Sequence, residues 1–149
     1  MRYLFFILPV FLLTACDLMK PPTHAETVWF NALARWEAAN TYERYCVKPE
    51  KMDVNMMGNV QMIVASLAGE LGKRVEGKSD KFKMQFVDGM IKRHIDPVHD
   101  KLDKLFLEKG CSGPEATETK PLYELFTKNH PSQIHGLIYK EAQTGNTKD

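Results

Sequence analysis

The chain has no excess of charge of either sign: 20 Lys+Arg stand against 19 Asp+Glu, a formal net charge of +1. That balance excludes the broad basic surface needed for bulk binding to nucleic acid. With 44% hydrophobic residues it also excludes a disordered polyelectrolyte. Cysteine is scarce, 3 in 149 residues, too few for a small scaffold built on disulfides. No apolar run reaches the roughly 20 residues that a helix needs to cross a bilayer. Motifs of the common enzymes are missing: no G-x-S-x-G elbow, S-x-x-K, H-E-x-x-H or Walker glycine loop. Without C-x-x-C-H, covalently attached haem is excluded too. No segment alternates with period 2, and no Asn-Gly or Asp-Gly turn joins two β-rich runs, since Asp88-Gly89 falls inside a helical pattern. Repeats and low-complexity tracts are absent. What remains is one domain's worth of ordinary globular sequence.

The most specific signal lies at the N-terminus. Residues 1–15 read MRYLFFILPVFLLTA, with Arg2 ahead of an 11-residue apolar run from Tyr3 to Leu13. That is the length of a signal-peptide core. The run ends in Leu13-Thr14-Ala15-Cys16. This resembles the bacterial lipobox: Leu, a small or β-branched residue, Gly or Ala, then Cys. The resemblance covers only the first 16 residues, but its motif is specific. It implies that the Cys16 thiol is diacylglycerated, that the leader 1–15 is removed, and that the new amine is acylated. Each buried acyl CH₂ contributes about 0.8 kcal/mol, so several chains anchor essentially permanently. The lipid bilayer, reached through acylated Cys16, is then one partner of the chain. Asp17, second in the mature chain, implies retention in the inner membrane, facing the periplasm, by the sorting rule of enterobacterial lipoproteins. The outer membrane is the second placing, because Leu18 is neither acidic nor an amide.

Lipid on Cys16 leaves Cys46 and Cys111, an even number in an oxidising compartment. One intramolecular bridge is expected, worth roughly 4 kcal/mol for the loop that it closes. The other reading is two free or metal-binding thiols, against which stand the lack of C-x-x-C and of a nearby His pair.

The rest of the chain reads as an all-α bundle of four to six helices. Residues 16–23 form the lipidated cysteine and a two-proline tether, 24–142 the helical domain, and 143–149 a polar, flexible tail. Thr23-His24-Ala25-Glu26 is a capping-box pattern, opening a helix over 24–46 with Trp29, Leu33, Trp36 and Asn40 on one face, widened by Val28, Ala32 and Ala39. Pro49 is expected in the first turn of a second helix, where Met57, Val60, Val64, Leu67 and Leu71 form the stripe, broadened by Met56 and Ile63, and Gly77 stops it. Ser79 caps a third, with Phe82, Phe86, Met90 or Ile91, and Ile95 as its buried stripe. Asp96-Pro97 either kinks that helix or starts another, which Gly110 ends. Residues 112–121 are expected as a loop, Pro121 begins a short helix, and Ser132 caps the last.

Several residues are candidates for function. Trp29 and Trp36, with Tyr42 and Tyr45, offer a recognition surface, because aromatic residues dominate interface energetics. Their spacing suits core equally well. Met52, Met56, Met57 and Met62 form a cluster that reads as core filler, as an adaptable partner-binding groove, or as soft ligands for copper. His94, Asp96 and His99 concentrate imidazole and carboxylate, but a helical metal site wants ligands at i and i+4, and these histidines are five apart. His130 and His135 flank a loop-to-helix junction. No cofactor or metal is expected. The expectation for function is a non-enzymatic lipoprotein that docks on an envelope, secretion or conjugation protein. The most specific class is an exclusion lipoprotein of a mobile element, which blocks redundant conjugation. A pilotin-like accessory lipoprotein and a periplasmic copper- or zinc-binding protein are the alternatives. No motif separates these, so the choice rests on analogy.

Overall fold

Thr23 opens the first helix as its sequence demands. Its hydroxyl accepts from the Glu26 amide at 3.2 Å, and the Glu26 carboxylate accepts from the Thr23 amide at 2.8 Å. In this computed structural model, which describes residues 20–145, that helix is the first of five. They are α1 (His24–Tyr42), α2 (Val54–Lys73), α3 (Asp80–Lys109), α4 (Pro114–Lys128) and α5 (Pro131–Thr144). A π-turn (Glu43–Val47) prolongs α1, and a 3₁₀ turn (Gly110–Ser112) follows α3. There is no strand among the described residues, as the all-α expectation required. The leader, Cys16, Asp17 and residues 146–149 lie outside the described residues.

α1 is the axis of the molecule and touches each of the other four helices. Ala25, Val28, Trp29, Phe30, Ala32, Leu33, Trp36 and Ala39 are all buried. Such burial on most sides is what a helix with apolar residues all round requires. The widened apolar face read from spacing misses only Ala25 and Phe30 of these. The alanines let neighbouring helices approach, and the tryptophans fill the space beside them.

α2 starts later than Pro49. The π-turn is capped by Lys48, whose φ of 52° is left-handed, and Asp53 caps α2 by accepting from the Asn55 and Met56 amides at 2.8 and 3.2 Å. Its buried stripe is Met56, Ile63, Leu67 and Leu71, with Val60 and Val64 partly buried, while Met57 is 47% exposed. The stripe is thus centred one residue before the expected one. Gly58 is a close-approach position, since an added Cβ would meet Pro131 Cγ at 2.7 Å, so α5 starts directly on α2.

α3 runs unbroken from the Ser79 cap through Pro97. The expected loop over 112–121 is instead the first half of α4, with Pro114 rather than Pro121 at its start. Proline costs nothing in a first turn, where its missing N–H has no acceptor. In mid-helix it leaves the carbonyl four residues back without its donor. Here those carbonyls belong to Arg93 and Thr117, on exposed residues, so water can take the donor's place. Likewise His130, not Ser132, caps α5: its Nδ1 accepts from the Ser132 amide at 3.3 Å, and Pro131 takes the first helical position.

Two asparagines on α2 finish α4. Asn55 and Asn59 donate to the Thr127 and Phe126 carbonyls at 2.7 and 3.1 Å, partnering acceptors that a helix C-terminus leaves orphaned. Cys46 in the π-turn and Cys111 in the 3₁₀ turn are joined by a disulfide with Cα atoms 5.6 Å apart. The expected bridge is present. At the opposite end of α1, Arg74 holds the chain's entry into the bundle. Its guanidinium forks onto buried Glu26, with Nε–Oε1 at 2.6 Å, and also donates to the Lys20 and Pro21 carbonyls at 2.7 and 2.8 Å. The C-terminal end of α5 joins this end, where His24 Nε2 donates to the Glu141 carbonyl at 3.0 Å.

Candidate functional site

α3 and α4 both lean on α1 but scarcely on each other. A trough of about 690 Å³ opens between them. Ala38 of α1 forms part of its floor, Pro97, Val98, Leu102 and Leu105 of α3 one wall, and Thr119 of α4 part of the other. The small Ala38 is what keeps the floor deep. Lys101, Glu115 and Glu118 stand around this apolar lining. Glu115 is fixed: Lys109 Nζ donates to its Oε1 at 2.6 Å, and that bond holds its carboxyl below the ordinary value of 4.5. Its other oxygen is buried without a partner.

The adjoining flank of α3 carries charge. Glu37 is buried on α1, and His99 Nδ1 donates to its Oε1 at 2.7 Å, while His99 Nε2 lies 3.3 Å from Asp103 Oδ2. Arg44 closes the ring, donating to Asp103 at 2.9 Å, to Thr41 at 3.2 Å and to Glu37 at 3.3 Å. The hydrogen bond to Glu37 raises the His99 pKa above 6.5, against desolvation and Arg44 and with the help of Asp103. A smaller hollow lies beside this ring, formed by Asn40, Glu43, Arg44, Lys48, Pro49 and Met52. Burial raises the Glu43 carboxyl above 4.5 even though it accepts from the Asp53 amide at 3.1 Å. These groups bind and lock α1 to α3.

The structure disperses most of the residues singled out by sequence. Trp29, Trp36 and Met56 are core, so they offer no surface to a partner. Trp36 Nε1 donates to the Met56 carbonyl at 2.8 Å, fastening α2 to α1. Met52 packs partly buried against that core, and Met57 is exposed on α2. Tyr42 packs on Tyr123 and Tyr45 on Phe106. His94 and His99 do not converge, because a continuous helix sets residues five apart about 140° round the axis. His94 stacks on Phe30, with ring centroids 4.0 Å apart, and donates to the Met90 carbonyl at 2.8 Å, whereas Asp96 is exposed. Among the described residues no group of three or more His, Cys, Asp or Glu side chains is placed to hold a metal ion.

Sequence reading missed Glu37, Arg44, the trough and one further pair. Ser66 Oγ and His135 Nε2 share a hydrogen bond at 2.8 Å. The imidazole lies between Trp29 and Tyr139, and its other nitrogen has no carboxylate partner among the described residues. It fastens α5 to α2. The sequence signals for the charged ring were His99 itself and a carboxylate, Glu37, set among Trp36, Ala38 and Ala39. Known protein families, curated proteins and solved structures give no match to this chain.

Proposed function

We propose that the protein is a lipid-anchored periplasmic lipoprotein that acts by binding another envelope protein, not by catalysis. The lipobox Leu13-Thr14-Ala15-Cys16 supports the anchor, and Asp17 favours the inner membrane. The class that fits best is the exclusion lipoprotein of a mobile element, in which a small anchored domain contacts a transfer-channel component. The observation that carries the binding reading is the apolar trough between α3 and α4, open and ringed by Lys101, Glu115 and Glu118. An amphipathic partner segment fits it, with apolar residues on the floor and polar ones facing the charged margin. Anchoring both proteins to one membrane raises their effective concentration, so a modest interface suffices.

In-cell photocrosslinking tests this. A crosslinker at exposed Lys101 is expected to trap one membrane protein. Leu105→Glu is expected to abolish that product while leaving the melting temperature and the acylation of Cys16 unchanged. A product that survives Leu105→Glu, or one obtained equally from Lys92 further down α3, would overturn the trough as the binding site.

A further inference from the structure

We infer that the end of the bundle carrying the α2–α3 turn and the first turns of α3 lies against the membrane surface, with Phe82 and Met84 entering the headgroup layer. This rests on the anchor reading above and adds an orientation to it. Three observations carry it.

The first is the clamp. Arg74, at the end of α2, holds the backbone carbonyls of Lys20 and Pro21, so the point where the tether meets the domain is fixed beside this turn. The second is chain length. From Cys16 to Lys20 there are four residue steps, and a chain reaches at most about 14 Å over four residues. With the acyl chains of Cys16 in the bilayer, the clamped end of the domain therefore cannot leave the headgroup region by more than that distance.

The third is what this end presents. The expected buried stripe of α3 begins at Phe82, but burial begins only further along. Phe86 packs against the core, whereas Phe82 is 38% and Met84 70% exposed. The apolar stripe thus runs out past the edge of the core at Phe82, while Met84, about 200° further round the helix, is exposed off that stripe, so both reach a bilayer only where α3 meets it end-on. Lysines interleave with it: Lys78 and Lys81 are exposed and Lys83 is half-buried. Residues 73–83 hold five Lys and Arg against Glu76 and Asp80, in a chain with almost no net charge. Glu26 engages Arg74, and Glu70 pairs with Lys73 at 2.6 Å, so Lys78, Lys81 and Lys83 face anionic lipid against Glu76 and Asp80, an excess of one positive charge. Apolar side chains among lysines at a surface held near a bilayer are the composition of an interfacial contact.

The test uses the acylated full chain in vesicles of phosphatidylethanolamine and phosphatidylglycerol whose acyl chains are brominated near the headgroup. Tryptophan is placed singly by Phe82→Trp, Met84→Trp or Leu107→Trp. Leu107 is 73% exposed and lies 25 residues, about 37 Å, further along the same helix. The unsubstituted protein supplies the signal of buried Trp29 and Trp36 as background. The tryptophan at 82 or 84 is expected to lose about half its emission to bromine and shift to the blue, as a side chain entering the headgroup boundary does, while that at 107 keeps its emission. Absence of quenching at both 82 and 84, with mass spectrometry showing acylated Cys16, would overturn the orientation and leave the anchor standing. Equal quenching at 107 would also overturn it. A protein crosslinked through 84 in intact cells, with no quenching in vesicles, would assign the patch to a protein partner instead. An unacylated Cys16 would overturn both readings together.

Discussion

His99 shows how much of this molecule is decided by single side chains. Its imidazole bridges buried Glu37 and Asp103, with Arg44 completing the ring. The hydrogen bond to Glu37 stabilises the charged imidazolium and raises the pKa above 6.5. The stabilisation is therefore whole below pH 6.5, where the unfolded chain is also protonated, and is lost as pH rises through the higher folded-state value. Denaturation measured across neutral pH is expected to show stability falling on the alkaline side of that range. His99→Gln is expected to flatten the fall. The side chain is 40% exposed, so solvent screening keeps the difference under about 1 kcal/mol. An unchanged slope in His99→Gln would assign the pH dependence to another group. Of this ring the sequence singled out His99 alone, as a candidate metal ligand, and none of its partners. Glu37 reads there as one more charge on a helix, and its imidazole partner is 62 residues away. The same holds for Trp29 and Trp36: spacing allowed core or recognition surface, and only the surrounding helices make them core.

At the scale of elements, signals whose cause is local were legible and those decided by neighbours were not. The Thr23 and Ser79 caps stand where the sequence put them, because a cap needs only residues within a turn of it. The prolines misled. Pro49 and Pro121 looked like helix starts, yet Asp53 and Pro114 hold those positions. Whether proline breaks a helix depends on which carbonyl it leaves open and on whether that carbonyl meets water, which burial decides. The α4 terminus is likewise completed by Asn55 and Asn59 from α2, at sequence distances of 72 and 67 residues. The bridge between the π-turn and the 3₁₀ turn was legible by cysteine arithmetic alone, and it ties elements separated by 65 residues. Removing it by Cys46→Ser is expected to cost about 4 kcal/mol of unfolding free energy. Thermal denaturation with and without reductant checks this: reductant is expected to lower the melting temperature of the native protein and to leave that of Cys46→Ser unchanged.

For the whole molecule, the two ends of α1 have different tasks, one facing the tether and one the disulfide. The tether end depends on Arg74. Arg74→Met leaves Glu26, 1% exposed, as an uncompensated buried charge and frees the Lys20 and Pro21 carbonyls. A loss of about 3–5 kcal/mol is expected in urea denaturation, with new protease cleavage near residue 20 while the helices remain folded. Unaltered cleavage there would show that the clamp does not hold the tether. The disulfide end has a mechanical meaning. A pull applied at the anchor enters α1, reaches Cys46, and crosses through sulfur to Cys111. When the opposing load is on α4 or α5, the backbone from Val47 to Gly110 lies off the covalent line of tension, so α2 and α3 feel it only through side-chain contacts such as the Arg74 clamp and the His99–Glu37 bond. The two walls of the trough are then loaded unequally: α4 is in the covalent line of the force, and α3 stands beside it, loaded only through its contacts with α1.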